Sequence, residues 1–258
     1  MEQEDANLLC DYCGVLFARQ PRETGAGAAA RPAPAEDGAA FRVYPPATQR
    51  AAAWLRERLF AVRTGANPID LMARAGLLVF LAIWGLRLIA TTIESNGVGQ
   101  SFLHLVNTPF HEAGHVVFTP FGDFVRTLGG TLGQLIMPMV CCLTLLLKTR
   151  DPFGAGVALW WFGENFLDIA PYIDDAGTGE LPLLGGNIGE SSPYGFHDWE
   201  YLMTETGRLG QEHDLARASQ RLGAAIMLLA LAWMAATLYR EWRAGRAAAT
   251  PGSLRRAA

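Results

Sequence analysis

The chain has 258 residues and a formal net charge of −4; half of its side chains are apolar and 18% are charged, with a mean hydropathy of +0.15. Soluble domains carry closer to ~25% charged residues, so the composition excludes a disordered solvating chain, and the absence of a net basic field excludes a nucleic-acid partner. Four cysteines, two near the amino terminus and two adjacent in an apolar run, do not make a disulfide framework.

Residues 1–50 are rich in Ala, Gly, Pro and Arg with almost no large apolar side chain after Phe17. Such a stretch buries too little surface to offset its ordering entropy, which predicts a flexible tail. Glu2, Glu4 and Asp5 occupy the place of a signal peptide's positive region. Cys10 and Cys13, followed by Gly14, form half a zinc ribbon, a knuckle that suits metal shared between two chains or a relic without metal. Residues 51–74 follow as a juxtamembrane segment, with Trp54, Leu55, Leu59 and Val62 at helical spacing and Arg56, Arg58 and Arg63 between them. That pattern fits an amphipathic helix lying on a membrane, and equally an ordinary surface helix.

Residues 75–240 read as a transmembrane helical domain. Four apolar runs, Gly76–Ile93, Leu132–Leu147, Ala155–Ile173 and Leu222–Tyr239, approach the ~20 residues that span hydrocarbon. A basic tail, 241–258, closes the chain. The expected fold is therefore all-α: a polytopic helix bundle in the lipid bilayer. Nine Arg precede the first run, Lys148 and Arg150 follow the second, and five Arg follow the last, whereas residues 174–200 hold six acids and no Lys or Arg. With four crossings, the positive-inside rule puts both termini in the cytoplasm and the acidic segment outside, provided residues 101–121 stay on one side.

Those residues carry the chemistry. His111, Glu112 and His115 form H-E-x-x-H on a predicted helix that opens at Thr108–Pro109 and stops at Pro120. Positions i and i+4 share a face, so both imidazoles can hold one metal ion while Glu112 takes a proton from a water on it. Zinc is the metal that such ligation most often selects. Two His leave the site one protein ligand short. Asn165, Asp168, Tyr172 and Asp175 lie along one stripe of the third run, and Asp168, within the span, is the first choice for third ligand. Asp175, near the outer end, is the second. His197, in the following loop, can act as a ligand or stabilise an oxyanion, and Asp198 can orient an imidazole from behind. Glu164 falls off the stripe. The adjacent Cys141 and Cys142 read as packing.

The segment Thr108–Thr119, the Gly-rich start of the next helix (residues 129–134) and a downstream span bearing Asn and Asp resemble the site-2 protease group of membrane-embedded zinc metallopeptidases, an M50-like family. The resemblance covers about residues 76–175 and is specific at H-E-x-x-H. It implies zinc held by His111, His115 and Asp168 or Asp175, with Glu112 activating water to cleave a peptide bond of a membrane protein or peptide substrate. The family's Asp stands in a Leu-Asp-Gly context, whereas here Ile173-Asp174-Asp175-Ala176 follows Pro171. The family's motif helix usually spans, and this one is expected not to. Beside the hydrolase stands a second expectation: a non-catalytic membrane protein whose polar residues form a closed structural metal site or a hydrogen-bonded core.

Overall fold

A computed structural model describes residues 8–9, 16–17, 47–63, 67–184 and 186–249. The chain divides into two units, Met1–Pro45 and Pro46–Ala258. In the first, Leu8–Leu9 (β1) pairs antiparallel with Leu16–Phe17 (β2). The predicted tail and the Cys10–Cys13 knuckle otherwise lie outside the described residues, as does the end of the basic tail, 250–258.

The second unit is helical: α1 (Ala47–Leu59), α2 (Pro68–Ile89), α3 (Phe102–Phe118), α4 (Asp123–Leu147), α5 (Pro152–Asp174), α6 (Asp198–Glu205) and α7 (Glu212–Ala249). Several boundaries differ from expectation for local reasons. The amphipathic helix ends at Leu59, and residues 68–74 already belong to α2, because Asn67 caps the amide of Ile69 and Pro68 fits the first helical position. The motif helix starts six residues before Thr108. Pro109 sits inside it, and the Thr108 hydroxyl donates to the His104 carbonyl at 2.7 Å. The extra turns bury Asn107 and pack Leu103 against the core, which offsets the hydrogen bond lost at Pro109. The stop at Pro120 is found, within a 3-10 turn over Thr119–Phe121.

Among the described residues three helices, α2, α4 and α7, are long and apolar enough to cross a membrane. Their outer faces carry Val79, Phe80, Ile83, Val140, Leu143, Leu228 and Leu229 in exposed positions. Hydrocarbon matches such a surface, whereas water would penalise it. The expectation of four such runs is corrected at α5, which folds over 23 residues but includes Glu164, Asn165 and Asp168 and does not reach that apolarity. It is the innermost helix. Trp160 and Leu167 meet Leu81 and Leu88 of α2 and Met227, Ala230 and Met234 of α7. α3, at 17 residues, is not among the helices that qualify to cross.

Candidate metal centre

α3 and α4 touch backbone to backbone where the site is built. A Cβ on Gly114 would lie 2.0 Å from the Gly129 carbonyl oxygen, so only glycine permits this approach. The contact brings α4 against the motif face of α3. His111 and His115, one turn apart, present rings 4.9 Å between centroids. The Nδ1 of His111 lies 2.9 Å from Gln134 Oε1, and that of His115 lies 2.9 Å from the Arg126 carbonyl oxygen. Both partners are acceptors, so each ring donates from Nδ1, which leaves Nε2 either to carry a second proton or, without it, to offer a lone pair to a cation. Metal-binding histidines are fixed in this way.

Both Nε2 atoms face the same carboxylate oxygen. Asp198 Oδ2 is 2.9 Å from His111 Nε2 and 3.2 Å from His115 Nε2. Ligand atoms about 2.0 Å from a tetrahedral ion stand roughly 3.3 Å apart, so the oxygen stands from each nitrogen at close to the spacing that a shared cation sets. Beside them α4 has no side chain at all: a Cβ on Gly130 would come within 2.6 Å of both Nε2 atoms. Two nitrogens, one oxygen and an adjacent space reserved by glycine fit a divalent cation. His111, Glu112 and His115 form a group whose ligand atoms lie within 4.8 Å of one another. Glu112 is exposed and lines a cleft of about 550 Å³ with His115 and Asp198, walled by Arg126, Tyr194, Phe196 and Tyr201.

Asp198 opens α6, and the two acid and imidazole candidates expected to bind metal support it instead. His197 caps that helix: its Nδ1 accepts the Glu200 amide at 3.1 Å and its Nε2 donates to Asp175 Oδ2 at 3.2 Å. Asp175 also accepts from Thr178 Oγ1, the Glu180 amide and the Leu181 amide. Every nitrogen of His197 and both oxygens of Asp175 are thus engaged in folding the loop, which leaves neither to ligate. The His197 ring stacks on Tyr172 at 4.2 Å, and the Tyr172 hydroxyl accepts the Asp198 amide at 3.4 Å. Burial pushes the His197 imidazole down, against the opposing charge of Asp175, which suits a neutral ring. Burial also works to raise the Asp198 carboxyl, but hydrogen bonds and charge from His111 and His115 outweigh it and hold the group below the usual carboxylate range. The His115 imidazole is raised by its hydrogen bond to Asp198.

Asp168, the first choice for third ligand, is bonded elsewhere. Its oxygens contact His104 Nδ1 and Asn107 Nδ2, each at 2.9 Å, on the earlier turns of α3. Asn107 Nδ2 also reaches Glu164 Oε2 at 3.1 Å, and Trp161 donates to Asn107 Oδ1. The stripe on α5 therefore splits: Asp168 joins this second polar cluster while Tyr172 and Asp175 serve the α6 loop. Asp198, expected to orient an imidazole from behind, instead approaches both rings directly, a contact with no local signal because 87 residues separate it from His111. Gln134, Asn107 and His104 carry no expectation from the sequence, and Glu164, set aside there as off the stripe, joins Asp168 in the second cluster, the i, i+4 spacing placing the two on one face. The chain matches no family model, no curated protein and no solved structure.

Proposed function

We propose that this protein is a membrane-embedded zinc-dependent hydrolase, a metallopeptidase, with His111, His115 and Asp198 as ligands and Glu112 as general base. One observation carries the reading: a single Asp198 oxygen faces two Nε2 atoms whose rings already donate from Nδ1. A carboxylate opposed to two lone pairs calls for positive charge between them, supplied by protons or by a metal ion. Zinc in such a site supplies Lewis acidity toward a carbonyl and toward water. Glu112, beside the cleft, receives a proton from the attacking water and returns it to the leaving amine. The open cleft favours this reading over a closed structural site, which would present four protein ligands.

In this reading α2, α4, α7 and the enclosed α5 cross the bilayer. Arg74, Lys148, Arg150 and Arg240 mark the cytoplasmic end, and the acidic segment 174–200 with the metal centre marks the other. The deciding experiment is paired metal analysis and turnover on reconstituted protein against a peptide library read by mass spectrometry. Glu112→Gln is expected to keep zinc and lose cleavage by at least about 100-fold, the usual scale of general base catalysis. His111→Ala and Asp198→Ala are expected to lose both. Equal zinc in Asp198→Ala and the parent protein would remove Asp198 from the site, and cleavage undiminished in Glu112→Gln would end the hydrolase reading.

A further inference from the structure

The end of the bundle away from the metal centre carries a feature the hydrolase reading does not use. α1 is tied to the bundle there: Trp233 of α7 donates to the Leu59 carbonyl at 2.9 Å, and Arg58 donates to the Leu147 carbonyl at the end of α4. Between α1 and the last turns of α7 lies a hollow of about 580 Å³ with Arg56, Arg240, Gln49 and Phe60 around a floor of Ala52 and Ala53. Glu57 also borders it, with its carboxylate 3.8 Å from Arg150. Four guanidinium groups at this end lie over aromatic rings: Arg58 over Trp54, Arg240 over Phe60, Arg243 over Tyr239 and Arg246 over Trp242, at 4.8–5.9 Å. Trp54, Phe60, Tyr239 and Trp242 nevertheless remain 40–56% exposed.

We infer that this hollow is a binding site for the headgroup of an anionic phospholipid. The phosphate sits between Arg56 and Arg240, where planar guanidiniums match its oxygens. The glycerol and first acyl carbons lie on the half-exposed ring of Phe60 at the border of the hollow. The hollow lies beside the last turns of α7, a membrane-length helix, and its α1 wall is tied to the end of α4, which puts it at headgroup level in the membrane reading on which it rests. Cationic residues with stacked aromatics complement an anionic headgroup and offer a zwitterionic one less.

The test is native mass spectrometry of the full chain in dodecyl maltoside, titrated with phosphatidylglycerol or phosphatidylcholine. The parent protein is expected to retain phosphatidylglycerol preferentially. Arg56→Gln with Arg240→Gln is expected to weaken that retention about thirtyfold, two contacts at about 1 kcal/mol each. Lysine at both positions restores only the part that charge alone carries, and Arg208→Gln with Arg217→Gln, away from the hollow, leaves it unchanged. Equal retention of the two lipids by the parent protein overturns the proposal. So does a loss in the Arg208/Arg217 variant that matches the Arg56/Arg240 variant, or displacement of the lipid by millimolar inorganic phosphate. Zinc content measured in the same samples reads the state of the metal centre separately.

Discussion

Asp198, His111 and His115 meet at one point because each is held from behind. Gln134 and the Arg126 carbonyl orient the rings, and the Tyr172 hydroxyl takes the Asp198 amide. Removing a support of this kind typically costs 10–100-fold in metal affinity, so Gln134→Ala is expected to weaken zinc binding by that factor while leaving the helical circular dichroism intact. Gly130→Ala tests the space itself. The added methyl would stand within 2.6 Å of both Nε2 atoms, and zinc should be lost with every ligand still present, as measured by metal analysis after gel filtration. Asp168→Asn separates the two acids: zinc content is expected to stay at the parent level, because the partners of Asp168 are His104 and Asn107. Acid should release the metal by protonating the imidazoles. The His115 ring, raised by its bond to Asp198 in the metal-free protein, takes its proton above the ordinary imidazole value of 6.5. The apparent zinc affinity, followed by equilibrium dialysis, should therefore begin to fall on the neutral side of that pH as pH is lowered.

At the scale of the element, the site is the junction of α3, α4 and α6, and each joint has its own device. The α3–α4 joint depends on Gly114 facing the Gly129 carbonyl. Gly114→Leu must push the helices apart, at the 1–3 kcal/mol usual for overpacking or more. The expected result is a lowered melting temperature in detergent together with weakened zinc binding, because the rings move away from Asp198. The α6 joint depends on the chain Asp175–His197–Glu200 amide. These two residues carried a metal-ligand expectation that their positions in the loop explain: both are polar, buried and near the centre, but their hydrogen-bonding capacity is spent on the backbone of 178–181 and on the helix cap. The misplaced start of α3 has a similar origin. Thr108–Pro109 is a sound start signal locally, and burial of Asn107 against α5 overrides it.

Across the second unit, one part-buried ion-pair network joins helices far apart along the chain. Arg74 bridges Asp151 at 3.1 Å and Glu241 at 3.6 Å, which links α2, the α5 cap and α7. Glu241 is 3% exposed, so Arg74→Ala would leave a buried carboxylate with its cation gone. A loss of about 3–5 kcal/mol is expected on that account, measurable as a drop in the thermal midpoint of the detergent-solubilised protein with its zinc content retained.

What could be read without coordinates was whatever repeats or sits close along the chain. Apolar runs of membrane length, the i, i+4 histidines with their glutamate, and the stop at Pro120 each depend on neighbours within a few turns, and helical geometry alone makes them meaningful. Which acid completes the centre was a different kind of question. Asp168, Asp175 and Asp198 have the same carboxylate, and composition cannot rank them, since the choice depends on where a loop spanning residues 175–197 returns. The tertiary structure folds that loop around Asp175 and His197 and sets Asp198 against the two rings. It also set Asp168 of α5 against His104 and Asn107 on the earlier turns of α3. The approach of Asp198 to His111, 87 residues away, costs loop entropy that only the packed helices repay.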